Sequence, residues 1–325
     1  MAPARTDSPV DNESTVKSTK PTVYLLDTFH PTAVKHAQSL FNVILPSHPQ
    51  HSEWREKAEY LLIRGSYLTA EDVAASPNLK AIGKQGVGID KIDQAACRER
   101  GIKIFNTPGV NAQAVAETVL TLAMSVARQV GRITALQTAG EVVPKEKCSG
   151  LIISNKKIGI VGMGNIGQKV AKIFSGGLGA EIIAYDPLLP MDAWADIPHT
   201  RASTLEEVLQ TSDIITLHIP LIPQTRNLIG YPQMQMMKRN AILINTARGG
   251  IVNEADLEQA LKDELIFGAG LDCHEQEPPT KERYEGLWST GRVVSTPHID
   301  RGRSRELRNH IVVRPAASQE WFVGW

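Results

Sequence analysis

Three segments of the chain end in residues whose chemistries complement one another. Arg248 closes the run Leu243-Ile244-Asn245-Thr246-Ala247-Arg248-Gly249-Gly250, Glu277 lies in Asp272-Cys273-His274-Glu275-Gln276-Glu277-Pro278, and His298 follows Val293-Val294-Ser295-Thr296-Pro297. Each follows or contains an apolar run that reads as a strand, Leu243–Asn245, Gly268–Leu271 and Val293–Ser295. If the three are neighbouring parallel strands, all three polar residues emerge at the carboxyl edge of the sheet, where open α/β sheets take their ligands. A guanidinium there holds a carboxylate through two parallel N–H bonds. An imidazole gives or takes a proton near neutrality, and a carboxylate bonded to it favours its charged form. An Arg, a Glu and a His so placed suit hydride chemistry at the carbon beside a carboxylate, with His298 handling the alkoxide proton.

A hydride needs a carrier, and the chain offers a place for one. The strand-like Ile158–Val161 runs into Gly162-Met163-Gly164-Asn165-Ile166-Gly167 and then into an apolar helical segment. Gly162 suits the tight turn, Gly164 the close approach of a pyrophosphate, and Gly167 the packing of helix on strand. The helix N-terminus presents unpaired N–H groups and the positive end of its dipole to phosphates. A second strand then ends at Ala184-Tyr185-Asp186. A carboxylate at Asp186 accepts from ribose hydroxyls and repels a 2′-phosphate, so NAD is favoured over NADP. Without that strand–turn–helix–strand–Asp context, the same glycines would be only a turn.

These residues need a frame, and the rest of the chain supplies it. Short apolar runs at Thr22–Leu26, Phe41–Leu45, Tyr60–Ile63, Leu79–Gly83 and Ile102–Phe105 alternate with helix-compatible segments. Residues 111–130 read as one long helix with Asn111 as N-cap, because Val115, Val119, Leu122, Ala123 and Val126 recur at helical spacing. A second alternating series follows from Lys157, with strands ending at Val161, Tyr185, His218, Asn245, Leu271 and Ser295. The expected fold is α/β, two doubly wound parallel-sheet domains, with residues 1–20 a disordered tail. Its 325 residues allow two domains, and 35 basic residues against 35 acidic ones give no field for nucleic acid or a charged membrane. No run approaches the ~20 apolar residues of a membrane span. Cys97, Cys148 and Cys273 are widely spaced and odd in number, so neither a disulfide framework nor a metal site is expected, and His274 beside Glu275 is not a coordination shell. The tail lacks the apolar core of a signal peptide, which points to the cytoplasm.

Taken together these motifs resemble the D-isomer-specific 2-hydroxyacid dehydrogenase family, most of all its 3-phosphoglycerate dehydrogenase-like members. The resemblance runs from about Thr22 to His298. It also rests on Leu62-Ile63-Arg64-Gly65-Ser66, Gly86-Val87-Gly88-Ile89-Asp90, Asn106-Thr107-Pro108-Gly109 and His218-Ile219-Pro220-Leu221. It implies a flavodoxin-like substrate domain over residues 21–110, an inserted Rossmann NAD domain over 111–298, and a return to the first domain in 299–325. It also implies that Arg248, Glu277 and His298 are catalytic. Asn165 and Ile166 would meet the pyrophosphate and Asp186 the ribose. Ile219, Thr246, Ala247, Arg248 and Asp272 would line the cofactor, with Asp272 near the nicotinamide amide. Val87 and Gly88 would meet the substrate carboxylate, and Arg64 a substrate anion. The implied partners are a small 2-hydroxy or 2-oxo acid and a second copy of the chain. After His298 the sequence departs from the family's Ile-Gly-Ala with Ile299-Asp300-Arg301-Gly302-Arg303, then adds Arg305, Arg308 and Arg314 and a Trp321-Phe322 pair. That departure keeps open an alternative, an NAD(H)-binding protein without turnover.

Overall fold

Apolar runs flanked by polar turns pair side by side, and the central strands are buried on both faces, as parallel sheets covered by helices require. The computed structural model describes residues 20–299 and the backbones of Val313–Pro315 and Trp321–Val323. Two compact units result, one of residues 20–85 with Lys91–Phe105, the other of Gly86–Asp90 with residues 106–299.

In the first unit, strands β1 (Thr22–Leu25), β2 (Asn42–Ile44), β3 (Tyr60–Ile63), β4 (Ala81–Lys84) and β5 (Lys103–Asn106) form a sheet of order β2-β1-β3-β4-β5. Helices α1 (Pro31–Leu40), α2 (Trp54–Lys57), α3 (Ala70–Ala74) and α4 (Gln94–Glu99) connect them. This is the flavodoxin-like strand order. Val23, Leu25 and Leu62 pack on Phe29, Ala37 and Phe41 beneath it. Thr69 and Asp72 cap α3 reciprocally, satisfying donors that the helix itself leaves open.

The second unit begins with α5 (Ala112–Ala127) and α6 (Val130–Thr138). Then come β6 (Lys157–Val161), α7 (Asn165–Leu178), β7 (Glu181–Tyr185), β8 (Thr200–Arg201), α8 (Leu205–Thr211) and β9 (Ile214–Leu217). The remainder is α9 (Tyr231–Gln235), β10 (Ile242–Asn245), α10 (Glu254–Lys262), β11 (Gly268–Leu271), α11 (Lys281–Ser289) and β12 (Val293–Ser295). The sheet runs β12-β11-β10-β9-β6-β7-β8 and reverses its winding between β6 and β9. Register places Val161 beside Leu217, Leu217 beside Asn245, Asn245 beside Leu271 and Leu271 beside Ser295. Five strands therefore end level, and the loops that leave them share one edge. A last pair, β13 (Val313–Pro315) and β14 (Trp321–Val323), is antiparallel.

The α/β class and both sheets match the expectation from sequence, and four details differ. The helix expected over 111–130 stops at Ala127, because Gln129 takes a left-handed backbone (φ 54) before α6 starts. Asn111 occupies the N-cap position, yet its side chain makes no capping bond. The elements α6, β8 and α11 carried too little apolar periodicity to be read: α6 buries no residue, and α11 buries only Tyr284 and Leu287. Gly86–Asp90 and the stretch from Asn106 group with the second unit rather than the first. The expected tail up to residue 19 and the Arg-rich segment after Ile299 lie outside the described residues, apart from the β13 and β14 backbones.

Candidate active site

At the winding reversal, β6 ends at Val161 and the chain turns through Gly162 with φ +99, a backbone that L side chains avoid. A Cβ there would fall 2.4 Å from the His218 carbonyl oxygen, and one on Gly167 would fall 2.4 Å from the Gly162 carbonyl oxygen. A Cβ on Gly164 would meet nothing within 4 Å. Gly164 caps α7 without a side-chain bond, so the first N–H groups of Asn165, Ile166 and Gly167 open toward that free space. The turn is thus closed where it meets protein and open where a phosphate would approach. Asp186 follows β7, and its carboxylate accepts from the backbone N–H of Met163 (2.9 Å) and Leu188 (3.0 Å). That fixes the carboxylate beside the Gly162–Gly164 turn. Arg201 on β8 donates to the Asp186 and Leu189 carbonyl oxygens from behind. Trp194 donates to the Met163 carbonyl (2.7 Å).

The loops after β9 and β10 form the adjoining wall. His218 pairs its Nε2 with Thr216 Oγ1 at 3.0 Å, while its buried Nδ1 has no hydrogen-bond partner. Burial alone depresses its pKa from 6.5 to about 3, so the ring is neutral. Ile219 is half-buried beside Gly162. After β10, Asn245 holds the turn: its side chain accepts from Ala247 N–H (3.1 Å) and donates to the Arg248 carbonyl (2.8 Å). Thr246 is buried, with an unpartnered Oγ1. Orphaned buried atoms at His218 and Thr246, an open phosphate turn and a carboxylate beside it together fit a dinucleotide.

Arg248 projects from the Asn245 turn with 29% of its side chain exposed. Its Nε and Nη2 both reach Asp90 Oδ1 at 3.0 Å, and its Nη1 donates to the Ala247 carbonyl (2.6 Å). Gly88 lies directly against this guanidinium. The Gly86–Gly88 loop is pinned by Gly86 N–H on Thr107 Oγ1 (2.9 Å) and by Asn106 Nδ2 on the Val87 carbonyl (2.6 Å). Val87 itself is exposed. In this state a protein carboxylate occupies the guanidinium that sequence reasoning reserves for a substrate carboxylate.

Glu277 and His298 meet. His298 Nδ1 lies 2.9 and 3.0 Å from the two Glu277 carboxylate oxygens, which leaves Nε2 to face elsewhere. His298 has φ 61, a left-handed backbone that His tolerates better than most residues. It stays there because Asp272, fully buried, accepts from Thr296 Oγ1 (2.6 Å) and from Ile299 N–H (2.8 Å), one bond on either side of the imidazole. Below this loop His274 bonds Ser295 (2.8 Å) and stands edge-on to Tyr284. Burial lowers the His274 pKa, partly countered by the Glu277 and Asp272 charges. Burial also raises the pKa of Glu254, which accepts from Glu275 N–H.

Arg64 belongs to the first unit. Its backbone N–H and those of Gly65 and Ser66 converge on Asp27 (2.6, 3.1 and 3.2 Å). Burial pushes the Asp27 pKa up, but these bonds outweigh it and hold the carboxylate below its usual range. Three positions escaped sequence reasoning: Asn245 as a turn clamp, Asp90 as partner of Arg248, and Thr296 as partner of Asp272. No spacing rule links Asp90 to Arg248 or Thr296 to Asp272, which lie 158 and 24 positions apart. Only the polar Asn at a buried strand end carried a signal.

Comparison with known proteins places the chain in a family. The model of the D-isomer specific 2-hydroxyacid dehydrogenase NAD binding domain matches residues 120–300. D-3-phosphoglycerate dehydrogenase of Methanocaldococcus jannaschii is 35% identical over 280 residues, 85% of this chain and 52% of that protein. The chain thus spans about half the length of that relative. Hydroxypyruvate reductase of Thermotoga maritima is 39% identical over 244 residues, 75% of this chain and 78% of that one. Among solved structures, a glyoxylate reductase from Paecilomyes thermophila superposes with a TM-score of 0.76 at 26% identity, covering 89% of this chain and 91% of that one. With a matching family model across the second unit and relatives that extend into the first, the chain belongs to the D-isomer-specific 2-hydroxyacid dehydrogenase family, and its second unit carries that family's NAD-binding domain.

Proposed function

We propose that the protein is an NAD-dependent oxidoreductase acting at C2 of a small 2-hydroxy or 2-oxo acid. The observation that carries this reading is the Glu277–His298 pair at 2.9 Å, fixed on the same sheet edge as the open Gly162–Gly167 turn. Bound NAD(H) supplies or accepts the hydride. Gly164, Asn165, Ile166 and Gly167 receive its pyrophosphate, Asp186 its ribose, and Ile219, Thr246, Ala247 and Asp272 line its path. Arg248 leaves Asp90 to hold the substrate carboxylate, with Val87 and Gly88 offering backbone N–H groups to the same anion. His298 then donates a proton to the forming alkoxide, or withdraws it in the reverse direction, while Glu277 steadies the charged imidazole. Arg64 is the residue for a second substrate anion.

Relatives named for phosphoglycerate, hydroxypyruvate and glyoxylate chemistry support a 2-oxo acid of that size. The test is NADH oxidation with phosphohydroxypyruvate, hydroxypyruvate, glyoxylate and pyruvate, repeated with NADPH. Turnover with at least one acid, faster with NADH, is the expected result. Tight NADH binding with no turnover across the panel would leave a binding protein instead.

The chain works as a homodimer in this reading. Support comes from α6, which buries nothing of its own, and from Val130 on it and Val142 and Ile152 in the segment that follows, which stand 50%, 92% and 74% exposed. Sedimentation of the full chain decides it. A cytoplasmic location is supported by Cys97, Cys148 and Cys273, none of which is in a disulfide. Among the described residues no helix is long and apolar enough to cross a membrane.

A further inference from the structure

The sulfur of Cys273 lies beside the Glu277–His298 pair. One ligand atom each from Cys273, Glu277 and His298 falls within 4.8 Å of the other two, the single such group among the described residues. A buried cysteine usually behaves as a small apolar side chain, and Cys273 is 1% exposed. Two features set this one apart. Its sulfur, which meets the Ala247 carbonyl at 3.4 Å, also lies within reach of a carboxylate and an imidazole, and both of these open outward, with His298 16% and Glu277 32% exposed. A cation can therefore enter along the imidazole and carboxylate and meet the sulfur at the floor. From sequence no metal site is expected, either from the three spaced cysteines or from His274 beside Glu275. The trio joins Cys273 to two residues far from the other cysteines, at the exits of β11 and β12.

We propose that Cys273, Glu277 and His298 form a binding site for a thiophilic divalent cation of the zinc class, and that its occupancy blocks turnover. Thiolate, imidazole and carboxylate are the donors that such a borderline-soft ion takes, and three protein ligands leave the fourth tetrahedral position to water. Zinc–sulfur and zinc–nitrogen bonds of about 2.3 and 2.0 Å put ligand atoms about 3.5 Å apart, so side-chain shifts of about 1 Å complete the site. Hard ions such as magnesium prefer all-oxygen shells and are excluded. The blocking step is a ligand exchange without redox change: the cation takes the thiolate of Cys273, releases its proton, and takes lone pairs of Glu277 and a His298 ring nitrogen. The imidazole can then no longer cycle its proton. This blocking rests on the dehydrogenase reading, whereas the site itself does not.

The test separates the two. Cobalt(II) is titrated into the full-length protein and its visible spectrum recorded. Tetrahedral d–d bands with a thiolate-to-metal charge-transfer band are expected. The charge-transfer band should vanish in Cys273→Ser and in Cys273→Val, and survive in Cys148→Ser. No cobalt spectrum, or a band that persists in both Cys273 variants, overturns the site. In parallel, zinc chloride is titrated into the NADH-oxidation assay, with each variant normalised to its own metal-free rate. Inhibition should weaken by about tenfold or more in both Cys273 variants, since removing a ligand costs no less than removing a supporting residue. Magnesium should have no effect. Cobalt binding at Cys273 with zinc-insensitive turnover overturns the blocking step. A cobalt signature in a protein that turns over no 2-oxo acid upholds the site and fails only the dehydrogenase reading.

Discussion

Replacing Gly88 by Ala separates the work of the guanidinium from its contribution to the fold. Gly88 sits outside the left-handed backbone region, so alanine meets no conformational penalty there. Its methyl group would nevertheless fall 1.6 Å from Arg248 Nη2, 2.8 Å from Cζ and 2.4 Å from Asp90 Oδ1. The side chain must swing away, and the ion pair with Asp90 goes with it. That pair is 29% and 42% exposed, and such surface pairs contribute about 0–1 kcal/mol. The loss is partly offset because alanine restricts the unfolded chain by about 0.4–1 kcal/mol relative to glycine. Thermal unfolding of G88A should therefore lie close to wild type. A displaced guanidinium cannot grip the substrate carboxylate, and hydrogen bonds to charged groups contribute about 1.5–3 kcal/mol. At about 1.4 kcal/mol per tenfold, kcat/KM should fall about 10- to 150-fold. Steady-state kinetics with NADH and the best 2-oxo acid, alongside NADH titration by fluorescence, measures it. The loss should sit mainly in KM for the acid, with NADH affinity unchanged. Unaltered kcat/KM at unaltered thermal stability would refute the assignment of Arg248 to the carboxylate.

Other perturbations follow from the same geometry. His298→Ala should lower kcat by about 100- to 10,000-fold while NADH still binds, and Glu277→Gln should lower it less; near wild-type turnover of His298→Ala would remove the acid–base role. Gly162→Ala combines a left-handed backbone with a carbonyl oxygen 2.4 Å from the new Cβ, and should cost about 2–5 kcal/mol in urea unfolding. Burial of the ring lowers the His218 pKa from 6.5 to about 3; although the residue as a whole is half-buried, its Nδ1 is out of water. The native state favours the neutral ring, so this contribution is complete above pH 6.5 and lost as pH falls from there toward 3, by at most about 1.4 kcal/mol per unit. Urea unfolding between neutrality and mild acid should show that slope in wild type and a flatter one in His218→Gln; identical slopes would contradict it.

Much of this site was readable before folding because each part had a local signature. The Gly162–Gly167 turn required only a strand before it and a helix after it, both visible as apolar runs. Asp186 was found by its place at the end of the following strand. What escaped were pairings that only folding creates. Arg248 and Asp90 are 158 positions apart, and the Asn245 clamp reads in sequence as one more polar residue after a strand. Asp272 illustrates the limit of motif transfer: it was assigned to the cofactor, and the fold also shows its Oδ1 engaged by Thr296 and Ile299. The break at Gln129 was invisible because the apolar spacing of α5 continues into Val130, and only the backbone angle marks the stop.

The paired bonds to Asp272 have a consequence for how this protein tolerates change. They grip the chain immediately before and after His298, so the imidazole takes its bearing from a buried carboxylate at the end of β11. Substitutions downstream of Ile299 must pull against that grip before they can turn the ring. A neutral isostere, Asp272→Asn, would loosen it at the source. The histidine proposed for proton transfer thus inherits the rigidity of a fully covered carboxylate, and a change that spares this carboxylate spares the bearing of the ring.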